Sequence, residues 1–422
     1  MMATGRGSRL NMHQFGPGEL ATNEWLAAGL ELPDLDQVRQ YRLSRVRESL
    51  RKFDYAGILL YDPVNVRYAT DSTNMQVWLL HNASRYVFVP AEGPVVLWEF
   101  DHCDFLSDHT TIIDEIRPCV PWLYFCAGDR IPEHARRWAD EIADLVIRHG
   151  GGNMRLAIDH CNHEGVAALQ QHGVDIHNGE EVMELAREIK SPEEIKAIQC
   201  AIHACEQGIA VMRQHMQPGI TEQRLWAHLH AENIARGGEW IETRLLVSGP
   251  RCNPWYQECS SRVIENGDLV AFDTDLVGCY GYCVDTSRTW LCGERAPSAD
   301  QRDIYSRAYE QIVRNIELLK PGISYRDLTH KAFRYDPEEF RHYSCLYHGV
   351  GLCDEAPFIY FPEAWESFGY DGVLAPGMVI CVESYLGRKS GGAGVKLEEQ
   401  VLITETGHQV LTCYPFEERI LG

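Results

Sequence analysis

Asp273, Asp275, Asp285, His348, Glu383 and Glu398 recur in that order along the last third of this 422-residue chain. Five carboxylates and one imidazole are donors for hard or borderline divalent cations, and six of them describe a site for two metal ions. Most stand where a lone charge is costly. Asp273 closes the apolar run Leu269–Phe272, and Asp285 follows Tyr282-Cys283-Val284. Glu383 follows Val379–Val382, and Glu398 lies between Leu397 and the strand-like Val401-Leu402-Ile403. A buried carboxylate without a partner is strongly destabilising, so charges in such runs call for a counter-cation. Read singly, the aspartates also fit strand-end turn residues, and His348 fits a structural histidine. Their conjunction favours ligation.

Strands must bring these residues together. GDLVAFDTD (267–275) and YGYCVDTSRTWLCG (280–293) read as adjacent strands whose antiparallel pairing sets Asp273 beside Asp285. GMVICVESYLG (377–387) and GVKLEEQVLIT (394–404), joined by a glycine-rich loop, would align Glu383 with Glu398 on one face. HYSCLYHGVGL (342–352) places His348 ahead of a glycine-rich turn. Upstream, LDQVRQYRLSRVRESLRKF (35–53) has helical spacing, and YAGILLYD, SRYVFVP, PVVLWEF and RLAID read as strands. EIKSPEEI (188–195) carries a helix start, with Ser191 as cap, Pro192 in the first turn and Glu194 near the positive end. The expected organisation is an arm over 1–35, an amino-terminal α/β domain over 36–190 and a carboxy-terminal domain over 191–422.

Composition narrows the function. Hydrophobic residues make up 45% and charged residues 24%, the profile of a globular chain. With 61 acidic against 39 basic residues the net charge is −22, which repels nucleic acid and anionic membranes, so neither is an expected partner. No run approaches the ~18–20 apolar residues that span a bilayer. The polar, glycine-rich start shows no secretory leader, and the 15 cysteines make no CxxC pair. A cytoplasmic protein with reduced thiols is expected.

The motifs resemble the pita-bread metallohydrolases: methionine aminopeptidase, aminopeptidase P, prolidase and creatinase. The resemblance runs from YAGILLYDPVNVRYAT through EIKSPEEI, MQPGITE, VSGP and GDLVAFD to KLEEQVLIT. It implies an α/β (α+β) chain: a creatinase-like amino domain followed by a pita-bread catalytic domain. It also implies that Asp273 and Asp285 match the family's aspartate ligands, His348 its histidine, and Glu383 and Glu398 its glutamates.

Three departures separate the chain from the peptidases. Asp273 and Asp285 stand one position further apart, with an added carboxylate at Asp275. Tyr256 replaces a substrate-handling histidine, and the peptidase pattern HGxGxxxHE becomes HGVGLCDE, with Asp354 for the second histidine. Imidazole, with a pKa near ~6.5, serves a tetrahedral intermediate as tyrosine and aspartate cannot at neutral pH. This pattern is similar to the DddP-type dimethylsulfoniopropionate lyases. That resemblance implies two metal ions, iron first, with manganese, zinc and cobalt as alternatives. It implies Asp273, Asp275, Asp285, His348, Glu383 and Glu398 as ligands, Asp354 as base and Tyr343 close to it. The expected reaction releases dimethyl sulfide and acrylate by β-elimination. Tyr343, Tyr256 and Trp78 are candidates to face the sulfonium, and a homodimer is expected. An X-Pro peptidase and a non-catalytic pita-bread binding protein are the competing readings.

Overall fold

The computed structural model describes residues 16–422 and divides into two compact units. Among the described residues, the first unit holds Asp34–Arg187 and the second holds Gly16–Pro33 with Glu188–Gly422.

The amino unit opens on the helix Leu35–Phe53, capped by the Asp34 carboxylate, which accepts from the backbone of Asp36 and Gln37. Its six-stranded sheet runs Glu115–Pro118, Val96–Glu99, Tyr86–Pro90, Gly57–Leu60, Arg155–Ile158 and Asp175–Asn178. Gly57–Leu60 pairs antiparallel with Tyr86–Pro90 and parallel with Arg155–Ile158. Gly57 has to be glycine, because a Cβ there would lie 2.8 Å from the Phe88 ring and 2.9 Å from the Val89 carbonyl. The helix Ile131–His149 lays Trp138, Ile142 and Val146 into a core with Leu59, Phe88, Trp98 and Leu156.

Three sheets build the carboxy unit. The first orders Ser287–Leu291, Leu269–Asp273 and Leu246–Ser248; the second orders Cys283–Val284, Leu276–Val277 and Trp240–Ile241. The third runs Asp354–Ile359, Tyr347–Val350, Val379–Arg388, Gly394–Ile403 and His408–Val410, with Phe340–Arg341 also on Val379–Arg388. Two ten-residue strands, Val379–Arg388 and Gly394–Ile403, form its centre, and all but one residue of each is buried. The helix Pro192–His215 starts on a full capping box: Ser191 accepts from the Glu194 N–H while Glu194 accepts from the Ser191 N–H. Helices Glu222–Ala235 and Ala299–Ile316 are capped by Thr221 and Ser298.

Part of the expected arm over 1–35 is described. Its first fifteen residues lie outside those described, but the helix Glu19–Ala27 packs into the carboxy unit. Trp25 is fully buried, stacks on Tyr280 at 5.9 Å and clusters with Cys200 and Ala204. Arg236 fixes it further through a bidentate pair with Glu24, at 2.8 and 2.9 Å. Only Ala21 and Trp25 of this helix are buried, too thin a stripe to show as periodicity. Among the described residues, no helix is long and apolar enough to cross a membrane.

Candidate metal centre and active site

Strand register assembles the carboxylates. Asp273 is paired with Ser287 across the sheet, which brings Asp285, two residues earlier, to the same end. Glu383 and Glu398 lie directly opposite one another in the central hairpin. The strand Tyr347–Val350 adds His348, paired with Cys381 on one side and Phe358 on the other. A register shift between His348 and Gly349 marks a bulge there, a device that re-aims side chains beside active sites. His348 Nε2 lies 3.4 Å from Glu383 Oε1, 3.5 Å from Asp285 Oδ2 and 3.6 Å from Glu398 Oε1. Asp275, held at φ 35°, accepts from the Thr243 hydroxyl at 2.7 Å.

Two groupings have donor atoms close enough to share an ion: Asp285, His348, Cys381 and Glu398, and Asp273, Asp275 and Asp285. Asp285 belongs to both. The carboxylates are short of donors. Asp285 Oδ1, Glu398 Oε1 and both Glu383 oxygens are buried and accept no hydrogen bond, a state that costs free energy unless a cation satisfies it. Burial and mutual repulsion push Asp273 up to about 7 and Asp275 up to about 8, and they raise Asp285 and Glu383 as well. Burial also penalises ionised Glu398, but Lys396 and His348 overcome it and hold this carboxyl well below its ordinary range. A group of buried carboxylates that repel one another, with one imidazole among them, fits divalent metal ions.

Lys396 is the residue that sequence reasoning missed. Its fully buried ammonium lies 2.7 Å from Glu383 Oε2, 2.9 Å from Glu398 Oε2 and 3.0 Å from Asp273 Oδ2, and it donates to the Ser287 hydroxyl at 2.7 Å. The contact to Glu383 is off the hydrogen-bonding direction. Alternation in GVKLEEQVLIT sets Lys396 on the face of Glu398; that was the available signal.

Asp354 begins the strand Asp354–Ile359, with Oδ1 3.6 Å from His348 Nδ1 and its side chain 61% exposed. Desolvation by its surroundings raises its pKa, and His348 opposes the rise. Tyr256 and Tyr343 stack at 5.1 Å, and the Ser344 N–H donates to the Tyr256 hydroxyl at 3.2 Å. Lys396 Nζ lies 4.4 Å from the Tyr343 ring centroid, so that ring already faces a cation. Tyr256 is 53% exposed and has the left-handed φ of 66°. Its loop is tied down by buried Glu222, which accepts from the N–H and hydroxyl of both Ser248 and Ser260 at 2.7 to 2.9 Å and pairs with Arg251. Trp78 lies in the amino unit, where it meets Phe100 edge-on at 5.9 Å. The structure thus brings the six expected ligands, Asp354, Tyr256 and Tyr343 into one region of the carboxy unit, and Trp78 belongs to the other unit.

The model of metallopeptidase family M24 matches residues 196–405. The chain is 47% identical to the dimethylsulfoniopropionate lyase DddP of Roseovarius nubinhibens, over 98% of this chain and 94% of that protein. This chain belongs to the DddP family. A second DddP protein, from Roseobacter denitrificans, is 44% identical over 100% of this chain and 96% of its own length. Among solved structures, the Xaa-Pro dipeptidase of Bacillus anthracis superposes with a TM-score of 0.70 at 23% identity, covering 90% of this chain and 99% of that one. The prolidase of Pyrococcus horikoshii gives 0.69 at 23% identity, over 89% and 99%. This chain therefore has the pita-bread architecture of those structures, an amino-terminal domain followed by a catalytic one.

Proposed function

We infer that this chain is a carbon–sulfur lyase that cleaves dimethylsulfoniopropionate to dimethyl sulfide and acrylate, with Asp354 as its base. The observation that carries the reading is the pairing of a retained carboxylate cage with an aspartate, not a histidine, beside His348, in a chain 44–47% identical to two DddP lyases.

Asp273, Asp275, Asp285, His348, Glu383 and Glu398 are the residues that would hold two metal ions, and Asp285 belongs to both candidate groupings. Bound there, the ions supply a Lewis-acid hold on the substrate carboxylate that acidifies the adjacent carbon–hydrogen bond. Asp354 takes the proton from that carbon. The electrons of the broken C–H bond form the carbon–carbon double bond, and the C–S bond breaks with its pair going to sulfur. Neutral dimethyl sulfide and acrylate result, and no water is consumed. The surroundings of Asp354 raise its proton affinity, the direction this step needs, and its 61% exposed side chain returns the proton to solvent. Tyr256 and Tyr343 form the aromatic wall for the sulfonium, a cation with no hydrogen-bond donor. Because Lys396 already lies over Tyr343, the half-exposed Tyr256 ring is the surface on offer. Trp78 is the further candidate from the amino unit.

Iron is the proposed metal, since an oxygen-rich set with one imidazole accommodates it; manganese, zinc and cobalt are the alternatives. A homodimer is proposed on the exposed apolar residues Met75, Val77 and Leu80 around Trp78. A cytoplasmic setting is proposed because nine cysteines are buried as free thiols.

Asp354→Asn tests the base. It is isosteric, so metal per chain stays at the wild-type value while release of dimethyl sulfide falls by about 100-fold or more. Turnover near the wild-type rate in a fully metallated Asp354→Asn protein would remove Asp354 from the mechanism.

A further inference from the structure

The segment EIKSPEEI reads as a helix start and has no part in the chemistry above, yet it reaches the turn that carries Asp354. Lys190 Nζ lies 2.8 Å from Glu355 Oε2, and both side chains are at most 3% exposed. Successive residues of a strand point to opposite faces. Asp354 therefore opens toward His348 while Glu355, its neighbour, turns into the protein toward Lys190.

Glu355 does more than pair with a lysine. Its other oxygen accepts from the Leu352 N–H at 3.1 Å, closing the turn Gly351–Cys353 that leads into Asp354. Gly351 leaves room for that carboxylate, since a Cβ there would lie 2.4 Å from Glu355 Oε1. The same turn is tied at its other side, where the Gly351 carbonyl accepts from the Cys283 N–H at 2.8 Å, two residues before Asp285. Lys190 is fixed in turn by its own N–H to the Gly377 carbonyl, at 2.9 Å. Glu194, four residues on, accepts from the Tyr282 hydroxyl at 3.0 Å, so one segment braces both the Asp285 strand and the Asp354 turn from behind.

We propose that Lys190 and Glu355 are positioning residues for the base: the buried pair sets where the Asp354 carboxylate stands relative to the substrate carbon it deprotonates. The proposal rests on Asp354 being that base. Burying an ion pair is a poor way to gain stability, since a well-packed apolar pair of similar volume often serves as well or better. Fixing one geometry is a better account of the pair, and a misplacement on the order of 1 Å can cost about 100-fold in rate.

The test uses the metal-loaded full-length protein. Lys190→Met/Glu355→Met removes both charges together and avoids leaving one unpaired. Glu355→Gln is the milder second variant, keeping the volume and an acceptor for Leu352. In both, metal per chain stays at the wild-type value, KM for dimethylsulfoniopropionate stays within about twofold, and kcat falls by about 10- to 100-fold. Lys190→Arg alone, which keeps a cation beside Glu355, retains most of the wild-type kcat. A role in folding alone would lower the melting temperature and leave kcat unchanged. Wild-type kcat in either metallated variant, or a kcat loss in Lys190→Arg as large as in the double variant, overturns the proposal. If those variants are unimpaired while Asp354→Asn is inactive, only the positioning claim falls; if Asp354→Asn turns over normally, the base assignment itself falls.

Discussion

Residues 354 and 355 carry the same functional group into opposite environments, one exposed beside His348 and one buried against a lysine. Chemical type did not reveal that difference; strand alternation did. The candidate metal-site carboxylates are legible because charge interrupts apolar runs at Asp273, Asp285 and Glu383. Lys396 was not, because lysine in a strand ordinarily reads as solvated, and only the cross-strand register of Glu383 with Glu398 shows what surrounds it. Two expectations belong at this scale. His348→Ala or Glu398→Ala loses metal and turnover together, as read by metal analysis and dimethyl sulfide release on the same preparation. Tyr256→Ala raises KM by about 2- to 30-fold, the equivalent of ~0.5–2 kcal/mol for a cation over an aromatic face, whereas Tyr256→Phe keeps the ring and stays near the wild-type KM. Equal losses in both variants would point to the hydroxyl and its bond from Ser344 instead.

Elements with strong local signals were readable in advance. Ser191-Pro192 with Glu194 announced a capped helix, and the helix Pro192–His215 begins there with its capping box complete. The helix Leu35–Phe53 likewise coincides with its periodic stretch. Glu19–Ala27 does not stand out in the sequence because few residues anchor it, chiefly Trp25 and the Glu24 that Arg236 holds, each meeting groups distant in sequence. Non-local burial of that kind leaves no periodic trace. Trp25→Ala is expected to cost about 3–5 kcal/mol, the range for deleting a buried tryptophan, measured by urea unfolding. A change under about 0.5 kcal/mol, as at a surface site, would show the helix to be loosely held.

Across the whole molecule, the acidic excess that gives a net charge of −22 is also concentrated at one buried point, where carboxylates outnumber the cations that face them. Metal held there is therefore expected to contribute to stability as well as to chemistry. Stripping the metal with a chelator is expected to lower the melting temperature, and re-addition at a hundredfold excess over Kd to restore about 2.7 kcal/mol; an unchanged transition would mean that Lys396 and His348 alone satisfy the cage. Architecture does not choose the reaction, since proline peptidases share it at 23% identity. We place the choice in Asp354, beside His348, and in Tyr256, stacked on Tyr343. The direct measurement is to supply the metal-loaded protein with dimethylsulfoniopropionate and, separately, with an X-Pro dipeptide, and to quantify dimethyl sulfide in the headspace, acrylate and free proline. Equimolar dimethyl sulfide and acrylate with no proline is the predicted result, and proline release without dimethyl sulfide would contradict it.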